Sequence, residues 1–136
     1  MEGFPSRLFL LFCQIYCNFA HMNHHQDHQA SRLVRITAMR QTEYRDLMAR
    51  YENAIEHACD IRVGQVFTSV DGQRPEGLCE SAWESMRPFV EALARGEGDF
   101  YDGWMRNPHS AMISCNDGFR PVSFYLEALD VPEQEN

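Results

Sequence analysis

Val34-Arg35-Ile36-Thr37-Ala38-Met39 carries its core-type residues Val34, Ile36 and Ala38 at every second position, the period of a strand with one buried face and one wet face. Thr42 follows as a potential helix cap. Tyr44, Leu47, Met48, Tyr51 and Ile55 then recur three and four apart, which gathers them on one side of a helix. Residues 63–70 predict a second strand, closed by the turn pair Asp71-Gly72. Ser81-Ala82-Trp83-Glu84 has the form of a capping box. It opens a helix whose apolar side carries Trp83, Met86, Phe89, Val90 and Leu93, with Gly96 at its end. Pro88 removes a backbone donor inside that helix and predicts a kink or a restart. Residues 111–115 and 120–129 flank Asn116-Asp117-Gly118, a tight hairpin connection with Gly118 supplying positive φ. The expected fold class is α+β: a small two-layer domain of order β-α-β-α-β-β, mainly an antiparallel sheet of about four strands with two helices.

Outward from this block the signals weaken. A chain of 136 residues, 44% hydrophobic, supports one modest core, which we assign to residues 32–130. Residues 1–31 have no core-forming pattern and read as a disordered or weakly helical tail. Residues 131–136 form an acidic end. Within the tail, residues 8–16 are apolar but too few to span a bilayer as a helix. As a signal peptide they are poor, because Arg7 is the only cation, Glu2 opposes it and no small-x-small cleavage site follows. Phe12 before Cys13 likewise disfavours a lipoprotein. Met22 offers an alternative start. Cys13, Cys17, His21 and His25 recur every four residues, a spacing that suits incidental metal affinity and not one shared ion.

Charge narrows the partners. All twelve basic residues are arginine against twenty Asp and Glu, a formal net charge of −8. Nucleic acid and anionic lipid are therefore disfavoured as partners by like-charge repulsion. The lack of lysine removes Schiff-base chemistry and a P-loop lysine. Five cysteines with no regular short spacing do not form a secreted disulfide framework, so a reducing cytoplasm is the simpler setting.

Three blocks carry a resemblance: Cys59 followed by Val63-Gly64-Gln65-Val66-Phe67; Pro75-Glu76-Gly77-Leu78-Cys79 with Ala82-Trp83; and Cys115-Asn116-Asp117-Gly118-Phe119-Arg120-Pro121-Val122-Ser123-Phe124. In these blocks residues 33–129 resemble a family of small bacterial and archaeal proteins of uncharacterised function, some of them described as an uncharacterised repeat protein. Asp60 stands where that family usually has proline, and Gly96-Glu97-Gly98 replaces its paired glycines. The resemblance implies architecture and candidate residues, and no chemistry.

Those candidates are Cys59, Cys79 and Cys115, each expected at an element edge. Converging there, soft thiolates could hold Zn²⁺ or an iron–sulfur cluster, with His57, His109 or Asp117 as a fourth ligand. Against this, no CxxC or CxxH pair occurs, and free cysteines are commonly small buried hydrophobes. Cys79 is the thiol best placed for activation, since it precedes a helix, although Glu76, Glu80 and Glu84 surround it with negative charge. Glu76 and Asp117 sit beside glycines and could act as general acid or base, or serve only as turn and capping residues. Arg74 and Arg120 flank the same turns and could clamp a carboxylate. Phe100, Tyr101 and Trp104 lie on a glycine-bearing loop, either as a lid over a small pocket or as closure of the core.

Three functions fit these residues. The first is a small cytoplasmic binding or accessory domain for a small molecule or protein partner, with Arg74, Trp104 and Arg120 at its ligand site. The second is a metal-binding or thiol-redox protein built on Cys59, Cys79 and Cys115. The third is a small acid–base enzyme using Glu76, Asp117 or Cys79.

Overall fold

A computed structural model describes residues 31–55 and 59–130. The chain divides between Ala30 and Ser31 into two units, and the second carries every described residue. The readings of the tail, of His57 and of residues 131–136 lie outside the described residues.

The element order is β1 (Val34–Gln41), α1 (Arg45–Tyr51), β2 (Val66–Ser69), α2 (Glu80–Ala94), β3 (Ser110–Ser114) and β4 (Val122–Ala128), as the hydrophobic patterning predicts. The strands form one sheet in the order β2-β1-β4-β3, antiparallel throughout. Strict alternation in β1 and β4 creates its two faces. Val34, Ile36, Ala38, Val122, Phe124 and Leu126 are buried, whereas Arg35, Thr37, Ser123, Tyr125 and Glu127 point the other way. Register then joins Phe67, Ile36, Leu126 and Ala111 into one apolar row crossing all four strands. A bulge at Met39 shifts the register between Ala38 and Arg40, letting β1 follow β4 to its start.

Helix α2 covers that apolar row. Leu78, Ala82, Met86, Val90 and Leu93 recur every three or four residues and are all buried. Trp83 and Phe89 only flank this stripe and are half-buried. The helix runs through Pro88 without interruption. It stops where Gly96 (φ +85) sends its N–H to the Leu93 carbonyl and Glu97 sends its own to Ala92. This Schellman arrangement requires a left-handed residue that glycine adopts freely. Gly98 is glycine for another reason: a Cβ there would collide with the Pro108 carbonyl.

Four local readings need correction. Thr42 caps no helix: its N–H goes to the Pro121 carbonyl and that of Tyr44 to Phe119, which extends the β1–β4 ladder and delays α1 to Arg45. The expected strand 63–70 shrinks to Val66–Ser69 because Gly64, at φ +91, turns the chain at one end. Asp71 (φ +54) and Gly72 (φ +68) turn it at the other. Ser81 is not a cap either, since α2 starts at Glu80 with Cys79 as N-cap. Arg74 donates from Nε and Nη2 to the Leu78 carbonyl at 3.0 and 2.8 Å, holding buried Leu78 at the helix entrance. Lastly, Gly118 is not at positive φ. Asp117 makes the turn instead, its Oδ1 accepting the N–H groups of Phe119 and Arg120 at 2.8 and 3.1 Å, an Asx turn.

Phe124 is fully buried at the centre of this packing. Phe124→Ala should lower stability by about 3–5 kcal/mol in denaturant titration; a loss below ~1 kcal/mol would mean that the sheet–helix interface is not the core.

Candidate functional site

The chain end of β1, the start of β4 and the N-terminus of α2 all lie at one end of the sheet, and there the three cysteines meet. Cys115 follows β3 directly. Its N–H bonds the Val122 carbonyl at 3.0 Å, and its Sγ accepts the Val122 N–H at 3.3 Å. Cys79 is the N-cap of α2. The next residue after Cys115 joins the two segments, since Asn116 Nδ2 donates to the Ser81 carbonyl at 3.3 Å. Cys59 arrives from the segment after α1, two residues before Ile61 enters the core. Cys79 and Cys115 are half-buried against that core, whereas Cys59 is exposed, and all three are free thiols.

Proximity shows in the electrostatics of Cys59. Partial burial foremost, then the charge repulsion of the neighbouring Cys79 and Cys115 side chains, pushes its thiol pKa up. A hydrogen bond from the Ile61 backbone opposes this and is outweighed. Cys59 is thus a basic thiol beside a second thiol, with a third in electrostatic range.

The other candidates do not join them. His109 and Cys115 bracket the five-residue strand β3 at opposite ends, about 17–20 Å apart at ~3.3 Å per extended residue. His109 therefore cannot complete a site with the cysteines. Its Nδ1 is buried without a hydrogen-bond partner among the described residues. Among those residues no group of three or more His, Cys, Asp or Glu is arranged to hold a metal ion, so the thiols meet without the spacing of a preformed Zn²⁺ site. Asp117 spends its carboxylate on the turn. Arg120 is not a free clamp: it binds Glu52 through two bonds of 2.8 Å, both side chains being largely buried. Glu76 is exposed on the turn before Gly77. Trp104 packs edge-on against Tyr101 at 5.2 Å, which in turn neighbours Phe89. Arg74 is engaged by the Leu78 carbonyl, Arg120 by Glu52 and Trp104 by the Tyr101 ring.

Sequence reasoning missed Glu52, whose role depends on a partner 68 residues away. It also missed Val122, whose backbone N–H reaches Cys115 only through the β3–β4 register. No family model, curated protein or solved structure matches this chain. No helix among the described residues is long and apolar enough to cross a membrane.

The raised pKa of Cys59 has a direct readout. Its alkylation by iodoacetamide, followed by peptide mass spectrometry, should be slower than that of free cysteine at neutral pH. The rate should still be climbing at a pH where free cysteine has levelled off. A rate that plateaus below the free-cysteine range would refute the crowded, partly desolvated environment.

Proposed function

We propose that this protein is a small thiol–disulfide redox module in which Cys59 and Cys79 pass reversibly between dithiol and disulfide. The observation that carries the reading is the convergence of three cysteines from three distant chain segments on one end of the sheet. It also fits the sequence resemblance, each block of which contains one of them. Cys59, the exposed member of the three, attacks one sulfur of a small or protein disulfide R–S–S–R as its thiolate, a form its raised pKa keeps scarce at neutral pH, and expels one RS⁻, which takes up a proton. Cys79, as thiolate, then attacks the Cys59 sulfur of the mixed disulfide. The S–S bond to R breaks and the second RS⁻ leaves. Two electrons and two protons pass to the partner, which departs as two thiols. Position at the N-terminus of the 15-residue helix α2 gives Cys79 unpaired backbone donors nearby, offset in part by Glu80. A reducing cytoplasm suits a pair that must be returned to the dithiol.

A second reading, a binding domain for a protein partner, is favoured by Tyr101 and Trp104. Tyr101 is 74% exposed although its backbone is held at φ +52, an unfavourable conformation for a bulky residue.

Equilibration with oxidised and reduced glutathione, acid quenching and peptide mapping test the redox reading. The expected product is a Cys59–Cys79 disulfide, about 2 Da lighter than the dithiol, absent from Cys59→Ser and Cys79→Ser and retained in Cys115→Ser. Persistence of the dithiol under strongly oxidising ratios would overturn it. Tight stoichiometric Zn²⁺ binding that Cys59→Ser abolishes would favour a metal centre instead.

A further inference from the structure

The backbone around Cys79 is held from both sides by side chains that α2 does not supply. Arg74 sends Nε and Nη2 to the Leu78 carbonyl, immediately before Cys79, at 3.0 and 2.8 Å. The Cys79 carbonyl accepts the Trp83 N–H at 2.9 Å as the helix begins. Just beyond Cys79, the Ser81 carbonyl accepts Asn116 Nδ2 at 3.3 Å, from 35 positions away in the chain. Asn116 owes this reach to Cys115. The Cys115 N–H goes to the Val122 carbonyl, but the returning Val122 N–H goes to Cys115 Sγ and not to the Cys115 carbonyl. That carbonyl accepts the Ser114 hydroxyl at 2.9 Å. The sulfur thus closes the β3–β4 ladder, and the next residue is free to leave β3 and reach α2.

We propose, resting on the dithiol–disulfide reading above, that Arg74 and Asn116 are positioning residues that set how readily Cys59 and Cys79 close a disulfide. The preference of a protein dithiol for its own disulfide over a mixed one with glutathione is an effective concentration. It is high only where the two sulfurs are held near bonding geometry before the bond forms. Cys59 lies exposed on the segment that follows α1, so the order at Cys79 is what keeps the pair together. Arg74 contributes direction as well as a bond, because both arms of its planar fork meet one carbonyl, a contact that lysine cannot reproduce. Asn116 contributes a cross-link between the hairpin and the first turn of α2. Cys115 acts through Asn116, by the place of its sulfur in the ladder.

The test is the equilibrium of the full chain with oxidised and reduced glutathione, read by acid quenching and peptide mapping. Both side chains are exposed, so their variants should keep the native circular dichroism. Asn116→Ala and Arg74→Lys should each lower the effective concentration for the Cys59–Cys79 disulfide about tenfold, which raises its reduction potential by about 30 mV. Cys115→Ala should match Asn116→Ala, whereas Cys115→Ser, whose hydroxyl can accept the Val122 N–H, should stay at the wild-type constant. Arg87→Ala removes an exposed ion pair with Glu91 on the same helix and should also leave the constant unchanged. A shift in Arg87→Ala equal to the others would mean that any loosening of α2 suffices, and overturns the proposal. A disulfide that forms equally well in wild type, Asn116→Ala and Arg74→Lys overturns it while leaving the redox reading standing. A wild type that forms no Cys59–Cys79 disulfide at any ratio overturns both.

Discussion

The antiparallel pairing of β1 with β4 is the contact on which the remaining geometry rests. These two strands hold the middle of the sheet, and every other element is placed by its relation to them. Their shared register sets Ile36 beside Leu126 and Ala38 beside Phe124, giving α2 a flat apolar surface to close over. A slip of one residue would turn both rows into solvent, because side chains alternate with a period of two. The bulge at Met39 absorbs the one mismatch, and the ladder then continues through Thr42 and Tyr44 to the segment before β4.

That continuation connects the core to the thiol site. It draws the start of β4, with the Asp117 turn and Cys115, to the end of the sheet where α2 begins at Cys79. The Asn116–Ser81 hydrogen bond then ties the two segments together. Cys59 joins them because Ile61 is pulled into the core. None of the three cysteines is fixed by its immediate neighbours in sequence. Each is carried in by an apolar residue or a ladder hydrogen bond nearby, so the cluster follows from the packing. The same placement raises the Cys59 pKa, since burial and neighbouring negative charge both disfavour its thiolate.

Helix α1 shows the opposite balance. Of the expected face only Leu47, Met48 and Tyr51 lie on the helix, because the chain turns extended at Glu52 and leaves Tyr44 and Ile55 beyond its ends; α2 covers the sheet, and α1 lies outside it on an ion pair and two backbone bonds. Periodicity reports that a face is apolar and is silent about what covers it. Within one chain the sheet offers its apolar side once, and the longer helix takes it.

The sequence by itself determined the element types, their order and the antiparallel α+β class, because strand and helix periods are local properties of the side-chain pattern. It also singled out Cys59, Cys79 and Cys115, and it read Asp117 correctly as a possible turn residue. Boundaries were less legible. Thr42, Ser81 and Gly118 all had suitable chemistry for caps and turns, but ladder bonds, the burial of Leu78 and the Asp117 carboxylate took those positions first. Tertiary structure alone decided that His109 lies at the far end of β3 and that Arg120 is held by Glu52. It also decided that Arg74 serves a backbone carbonyl and that Trp83 flanks the core. Each of these depends on which residues distant in sequence become neighbours, and strand register and helix placement set that through the packing of the whole domain.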